Sequence, residues 1–179
     1  MKLVILDRDG VINEDSRHYI KSPDEWIPIG GSLEAISLLN KNGFTVVVAT
    51  NQGAIGKKIF SEITLNKIHK KMQDLLREKK AKIDKIFYCP HIDEDNCSCR
   101  KPKNGLMEKI KEHYNISLEK IPAIGDSARD LEAYSKSDAQ PILVRTGNGK
   151  DVEEEKSYPS NTLIFDNLLE ASKFIIKIE

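Results

Sequence analysis

The chain has no long apolar run. The stretch Leu3-Val4-Ile5-Leu6 ends at Asp7, too short for the core of a signal peptide and far short of the roughly 20 residues of a membrane-spanning helix. It also lacks an excess of either charge: 28 Lys and Arg stand against 28 Asp and Glu. A general binder of nucleic acid or of a membrane surface needs a basic surplus, so neither partner is expected, whereas a small anion held by a few local cations stays open. Aromatics make up only 6% of the residues, which leaves Ile, Leu and Val to build the core. Cysteine is scarce and confined: all three lie between positions 89 and 99. An odd, clustered set is no disulfide framework and in a reducing compartment points to metal. The expectation is a cytoplasmic monomer forming one domain over 1–179, long enough for a full core.

Short apolar runs alternate with helical patterns along the chain. The runs 2–6, 44–49, 84–88, 121–125, 141–144 and 162–165 read as strands, β-branched and nearly continuous, as in a parallel sheet covered on both faces. Helices are predicted over 32–42, 61–80, 104–114, 128–136 and 167–177, with loops at 14–31, 89–103 and 146–161. Ser32 is the expected N-cap of the first helix and Gly43 its stop. Ile63, Leu65, Ile68, Met72, Leu75 and Leu76 supply the apolar side of the second, with His69 on its solvated face; His113 is expected in solvent too, and Trp26 as an anchor for its loop. The fold class is α/β: a single doubly wound, mostly parallel sheet with helices on both faces, Rossmann-like and capless, with a metal-binding loop at 89–103.

Such sheets bind ligands beyond the carboxyl ends of their strands, and the residues placed there are a chemical set. In "VILDRDGVIN" (4–13) a buried strand runs straight into Asp7 and Asp9; "VVVATNQ" ends in Thr50, Asn51 and Gln52; the cysteine loop gives way to Arg100 and Lys101; "IGDSARD" supplies Asp126, Ser127 and Asp130. Two like charges at a strand end repel each other and lose solvation. A Mg²⁺ gathered by Asp7, Asp9 and Asp126 removes that cost. Asp7 is then placed to attack an electrophile and Asp9 to exchange a proton. Thr50 offers a hydroxyl and Lys101 a positive charge, the components of phosphoryl transfer through an aspartyl phosphate. Taken singly, each has a plainer reading: an Asx turn for Asp7 and Asp9, a turn cap for Thr50 and Asn51, a helix start for Asp126 and Asp130. Their joint occurrence at successive strand ends favours the chemical one. For Asp130, both a metal-orienting role and a partnership with Lys101 fit.

"YCPHIDEDNCSCRKP" (88–102) holds Cys89, His91, Cys97 and Cys99. Three thiolates and one imidazole complete a tetrahedral Zn²⁺ set with no open position, hence a structural rather than a catalytic ion. Each pair is spaced i, i+2, which in an extended segment puts both side chains on one side.

The motifs "DRDGVIN", "VVVATNQ", "CRKP" and "IGDSARD", in that order, resemble the four motifs of the haloacid-dehalogenase-like phosphatases over about the whole chain. The resemblance implies Asp7 as nucleophile and Asp9 as acid–base. Thr50 and Lys101 would stabilise the phosphoryl group, and Asp126 and the Asp9 carbonyl would be Mg²⁺ ligands. It further implies a phosphorylated sugar as substrate, touched by Asp15, Ser16, Arg17 and His18 and by Asn51, Gln52 and Gly53, with Arg100 on a second phosphate or on the sugar, and Ser127 nearby. Two positions depart from the pattern: Gly53 stands where many members carry Ser, and Ser127 where some carry Lys. Arg17, His18, Lys21, Lys57 and Lys58 favour a doubly phosphorylated sugar, while Glu14, Asp15, Asp24 and Glu25 keep an amine-bearing phosphate ester open. A receiver-like signalling domain or a zinc-stabilised binding module are the non-enzymatic readings. Asp9, placed to activate water, and a full catalytic set speak against both.

Overall fold

In the first strand, β1 (Leu3–Leu6), every side chain is buried, and neighbours point to opposite faces. Val4 and Leu6 enter one apolar layer, Leu3 and Ile5 another. The same division runs through β2 (Thr45–Asn51), where Val46 and Val48 oppose Val47 and Ala49. A strand apolar on both faces must be covered on both, and the computed structural model, which describes residues 1–178, shows how. Helices α1 (Ser32–Lys41), α3 (Glu62–Glu78) and α7 (Leu168–Ile178) close one face through Ile36, Leu39, Ile68, Met72 and Ile175. Helices α4 (Gly105–Tyr114), α5 (Ala128–Ser135) and α6 (Gly149–Glu155) close the other through Leu106, Ile110, Leu131, Tyr134 and Val152.

With β3 (Lys85–Cys89), β4 (Pro122–Gly125), β5 (Gln140–Val144) and β6 (Leu163–Phe165), the six strands are all parallel in the order β3-β2-β1-β4-β5-β6. The expected doubly wound sheet is present, and each of its strands lies within a residue or two of its predicted span. The chain direction across the sheet reverses at β1, between β2 and β4, so a crevice opens beyond the tips of β1 and β4. Asp7 and Asp126 follow those tips, and the Asp7 N–H still donates to the Ile124 carbonyl at 2.8 Å.

Four local expectations need correction. Ser32 does not cap α1: Gly31, at φ 85°, is the N-cap, and the Ser32 hydroxyl donates to the Ile12 carbonyl at 2.6 Å, fastening the helix to the turn after β1. Ile63 is 69% exposed and outside the core. His69 is buried, because it lies four residues after Leu65 and three before Met72 on the same stripe. Two short helices, α2 (Gly53–Gly56) and α6, occupy stretches without helical periodicity. Trp26 is fully buried among Ile12, Ile20 and Ile36, pinning its loop as expected.

Candidate active site

The crevice is a cleft of about 290 Å³. The turn after β1 shapes its floor. The Arg8 carbonyl accepts from the N–H groups of Val11, Ile12 and Asn13, and Gly10 adopts φ +80°. Only a glycine fits there, since a Cβ would stand 2.1 Å from Asp126 Oδ2. Gly147 approaches the same oxygen, again at 2.1 Å for a Cβ, and Asn148 binds it through its backbone N–H (2.8 Å) and Nδ2 (3.0 Å).

Asp7, Asp126 and Asp130 each place an oxygen within 4.8 Å of the others. Lys101, 1% exposed, is the cation among them: its Nζ lies 2.6 Å from Asp130 Oδ1 and 3.1 Å from Asp7 Oδ1, and donates to the Ala49 carbonyl at 2.7 Å. Burial and then the Asp130 carboxylate push Asp7 up to about 7, against the pull of Lys101. Burial, Asp130 and Asp7 raise Asp126 well above the ordinary carboxylate range. Burial works against the Lys101 charge, but Asp130 and Asp7 more than offset it. Once all three acids are ionised, they exceed the one ammonium by two negative charges. An octahedral hard cation sets its ligands about 3 Å apart for neighbours and about 4 Å for opposite pairs, which this spacing accommodates. The donor set thus fits a divalent ion in charge, spacing and ligand chemistry.

Asp9 is turned elsewhere. Its carboxylate accepts from Arg8 Nη2 at 2.8 and 3.0 Å, Asn13 Nδ2 at 2.9 Å and Gln52 Nε2 at 3.1 Å. Burial opposes its charge, but Arg8 and these donors prevail and lower its pKa. Its side chain is therefore not part of the acidic cluster expected to include it; Asp130 takes that position, fixed as well by accepting from the Ser127 N–H and hydroxyl. Thr50 Oγ1 accepts from Gln52 Nε2 at 2.9 Å, leaving its own proton free for the cleft. The Asn51 side chain and the Lys101 backbone bind each other reciprocally at 3.0 Å, so Asn51 sets where the lysine stands.

Asp15, Ser16, Asn51, Gln52, Gly53, Arg100 and Ser127 all line the cleft, as do Asp7, Asp9, Thr50 and Lys101. Arg17 and His18 do not: both are exposed, and Tyr19, at φ 64°, faces inward in their stead. Lys57 stands 5.5 Å above the Tyr19 ring. Tyr19, Arg129, Asn148, Asp93 and Glu94 are cleft residues that the sequence reading missed. The signal available for Asn148 was its place just beyond β5, another strand tip. Gly53 has a visible reason: a Cβ would meet Arg100 Nη1 at 3.1 Å and the His91 carbonyl at 3.3 Å.

The cysteine loop flanks this cleft. Sulfur and ring-nitrogen atoms of Cys89, His91, Cys97 and Cys99 converge, with contacts of 3.6 Å (Cys89–His91), 3.6 Å (Cys89–Cys97), 3.4 Å (His91–Cys99), 3.7 Å (Cys99–Cys97) and 2.9 Å (Cys89–Cys99). Ligands about 2.3 Å (S) and about 2.0–2.1 Å (N) from a tetrahedral ion lie about 3.6–3.8 Å apart. Four of the five contacts fall within 0.2 Å of that range, so this cluster can hold a metal. The loop then orients Arg100: its N–H meets Cys97 Sγ at 3.4 Å, Nη1 the His91 carbonyl at 3.2 Å and Nε the Asp93 carboxylate at 2.7 Å.

Comparison with known proteins agrees with this site. Residues 2–152 match the family model described as polynucleotide kinase 3 phosphatase. A D-glycero-beta-D-manno-heptose-1,7-bisphosphate 7-phosphatase of Neisseria meningitidis serogroup A is 46% identical, with 99% of this chain and 96% of that protein covered. The enzyme of that name from Pseudomonas putida is 48% identical over 98% of this chain and 100% of its own. The crystal structure of D,D-heptose 1,7-bisphosphate phosphatase from B. bronchiseptica, complexed with magnesium and phosphate, superposes with a TM-score of 0.99 at 43% identity and full coverage of both chains. With its four motifs at the strand tips and relatives of this identity along its whole length, the chain belongs to the haloacid-dehalogenase-like phosphatases, in the family described as polynucleotide kinase 3 phosphatase.

Proposed function

We propose that this phosphatase removes the 7-phosphate from D-glycero-D-manno-heptose 1,7-bisphosphate, a step of ADP-heptose synthesis for the lipopolysaccharide core. The names of its relatives supply the substrate. The observation that carries the chemistry is the surplus of two negative charges among Asp7, Asp126, Asp130 and Lys101 once the three acids are ionised. Hard carboxylate oxygens select Mg²⁺, and the B. bronchiseptica relative holds magnesium and phosphate together. Asp7, Asp126 and the Asp9 carbonyl hold the ion, which when bound neutralises the phosphoryl oxygens as a Lewis acid.

An Asp7 oxygen attacks phosphorus as the bond from phosphorus to the sugar oxygen breaks, and Asp9 delivers a proton to that departing oxygen. Asp9 rests ionised among its donors, so this proton arrives with the substrate, a phosphate monoester whose second ionisation lies near about 6. Water then attacks the aspartyl phosphate, Asp9 takes its proton, the bond between Asp7 and phosphorus breaks, and inorganic phosphate leaves as Asp9 gives that proton up and returns to its ionised state. The free Thr50 hydroxyl donates to a phosphoryl oxygen, and Lys101 holds Asp7 in line. Arg100, with Lys57 and Arg129, receives the second phosphate. Asp15, Ser16, Gln52, Gly53 and Ser127 meet the sugar, with Asn51 acting through Lys101.

Cys89, His91, Cys97 and Cys99 would hold a structural Zn²⁺, which would brace the loop that orients Arg100. Residues 1–179 work as one phosphatase domain. A cytoplasmic monomer is the working unit in this reading. No described helix is long and apolar enough to cross a membrane. Side-by-side Mg²⁺-dependent turnover of heptose bisphosphate and histidinol phosphate tests the assignment. The bisphosphate is expected to be preferred, and preference for the amine-bearing ester overturns it.

A further inference from the structure

The largest buried charge that this mechanism leaves without a task is Arg8. The residue is 0% exposed, an arginine inside the turn between the two aspartates. Its Nε and Nη2 hold Asp9, Nε at 3.1 Å from Oδ1. Its other nitrogen, Nη1, meets His69 Nε2 at 3.2 Å. A guanidinium only donates, so Nε2 is the acceptor and His69 is neutral. Burial and the neighbouring guanidinium keep it so, with its pKa pushed down to about 3. His69 comes from α3, is 8% exposed, and its ring is braced at 6.4 Å by Tyr88 of β3. A rigid helix thus grips one end of the guanidinium while the other end grips Asp9.

We infer that His69, acting through Arg8, is a positioning residue that sets where the Asp9 carboxylate stands relative to the departing sugar oxygen. The guanidinium fork has fixed geometry, so anchoring Nη1 fixes the direction of Nη2 and with it the plane of Asp9. Without the His69 acceptor, a buried N–H loses its partner, at a cost that favours rotation of the fork. Asp9 turns with it. The inference rests on the proposed acid role of Asp9, and leaving-group chemistry separates the two. A sugar oxygen is a poor leaving group and needs its proton during bond breaking, whereas p-nitrophenolate leaves without one.

The test compares KM and the first-turnover release of the leaving group in rapid mixing, which precedes the water step that Asp9 also serves, for heptose bisphosphate and for p-nitrophenyl phosphate, in the Mg²⁺-loaded protein and in Asp9→Asn, His69→Leu, His69→Gln and Arg8→Lys. In His69→Leu, the first-turnover rate on the sugar phosphate should fall about tenfold, a fraction of the 10²–10⁴ attributed to a placed acid. KM should hold, and p-nitrophenyl phosphate should lose less than about twofold. His69→Gln, whose amide oxygen can replace Nε2, should restore most of the sugar-phosphate rate. Arg8→Lys, a point charge that cannot span both partners, should fall further on the sugar phosphate. Equal losses on both substrates in His69→Leu, or failure of Gln to rescue where Asp9→Asn does discriminate, overturn the positioning role. If Asp9→Asn itself loses both activities equally, the acid role fails and the inference falls with it. Arg8→Lys decides the matter by the same ratio if His69→Leu does not fold.

Discussion

Mg²⁺ affinity should depend steeply on pH below 7. Asp7 is raised from 3.8 to about 7 by burial and by Asp130. Each pH unit of difference corresponds to about 1.36 kcal/mol, so ionising Asp7 in the folded, metal-free protein costs about 4 kcal/mol relative to the unfolded chain. A carboxyl with a raised folded pKa favours folding at low pH and loses that contribution as pH climbs from about 4 to about 7. The bare stability profile will not isolate this. His69, pushed down to about 3, binds its proton in the unfolded chain first and so works in the opposite direction over much of the same range. The difference between magnesium-loaded and magnesium-free protein does isolate it, because His69 is common to both. Binding must expel the Asp7 proton, so apparent affinity should rise about tenfold per pH unit from pH 5 to 7. Asp126, also raised, adds in the same direction. Titration calorimetry in two buffers of unlike ionisation enthalpy at pH 6 counts the protons, and about one or more per Mg²⁺ is expected. Omitting magnesium rather than chelating it leaves the cysteine cluster intact. Affinity flat between pH 5.5 and 7.5, with no proton release, would refute the reasoning.

Three further outcomes are expected. Gly147→Ala puts a methyl 2.1 Å from Asp126 Oδ2 at a residue with φ +56°, and should weaken Mg²⁺ binding and cost about 1–3 kcal/mol in urea unfolding; unchanged binding would contradict the tight packing around that oxygen. Lys101→Met removes the ammonium between Asp7 and Asp130 and should cost about 3–5 kcal/mol, partly recovered by adding Asp130→Asn; a double variant no better than the single one would count against the charge balance. Cys97→Ser should lower the zinc content measured by metal analysis and raise KM for a bisphosphate more than for p-nitrophenyl phosphate, since Arg100 loses its brace; zinc retained at one equivalent would exclude the cluster as its seat.

How much of this was legible in the sequence depended on whether the determinant was periodic. The six strands announced themselves as continuous apolar runs, and the residues after them assembled the cleft without further information. The cysteine loop was legible because three cysteines and a histidine have little other reason to crowd together. The failures have separate physical causes, of which one is a polar residue assumed to be in water. His69 sits at i+4 from Leu65, and its spacing already placed it inside, but its polarity suggested otherwise. Arg8, between two aspartates, received no role from the sequence, and it is among the most deeply buried side chains. Helix α6 has only Gly149 and Val152 buried, too little for a 3.6-residue rhythm. Ser32 looked like a cap because its type suits one, whereas the φ of Gly31 decided the matter.

The strand order has a consequence for synthesis. Asp7 leaves the ribosome before its partner Asp126 and the neighbouring strand β4, which follow more than a hundred residues later. Until β4 docks beside β1, no nascent chain can chelate magnesium, and one edge of β1 remains bare to other polypeptides. Closure of a loop this long is entropically slow, so competence for catalysis arrives in one late event rather than by degrees. Truncated products ending before β4 should be both inactive and adhesive.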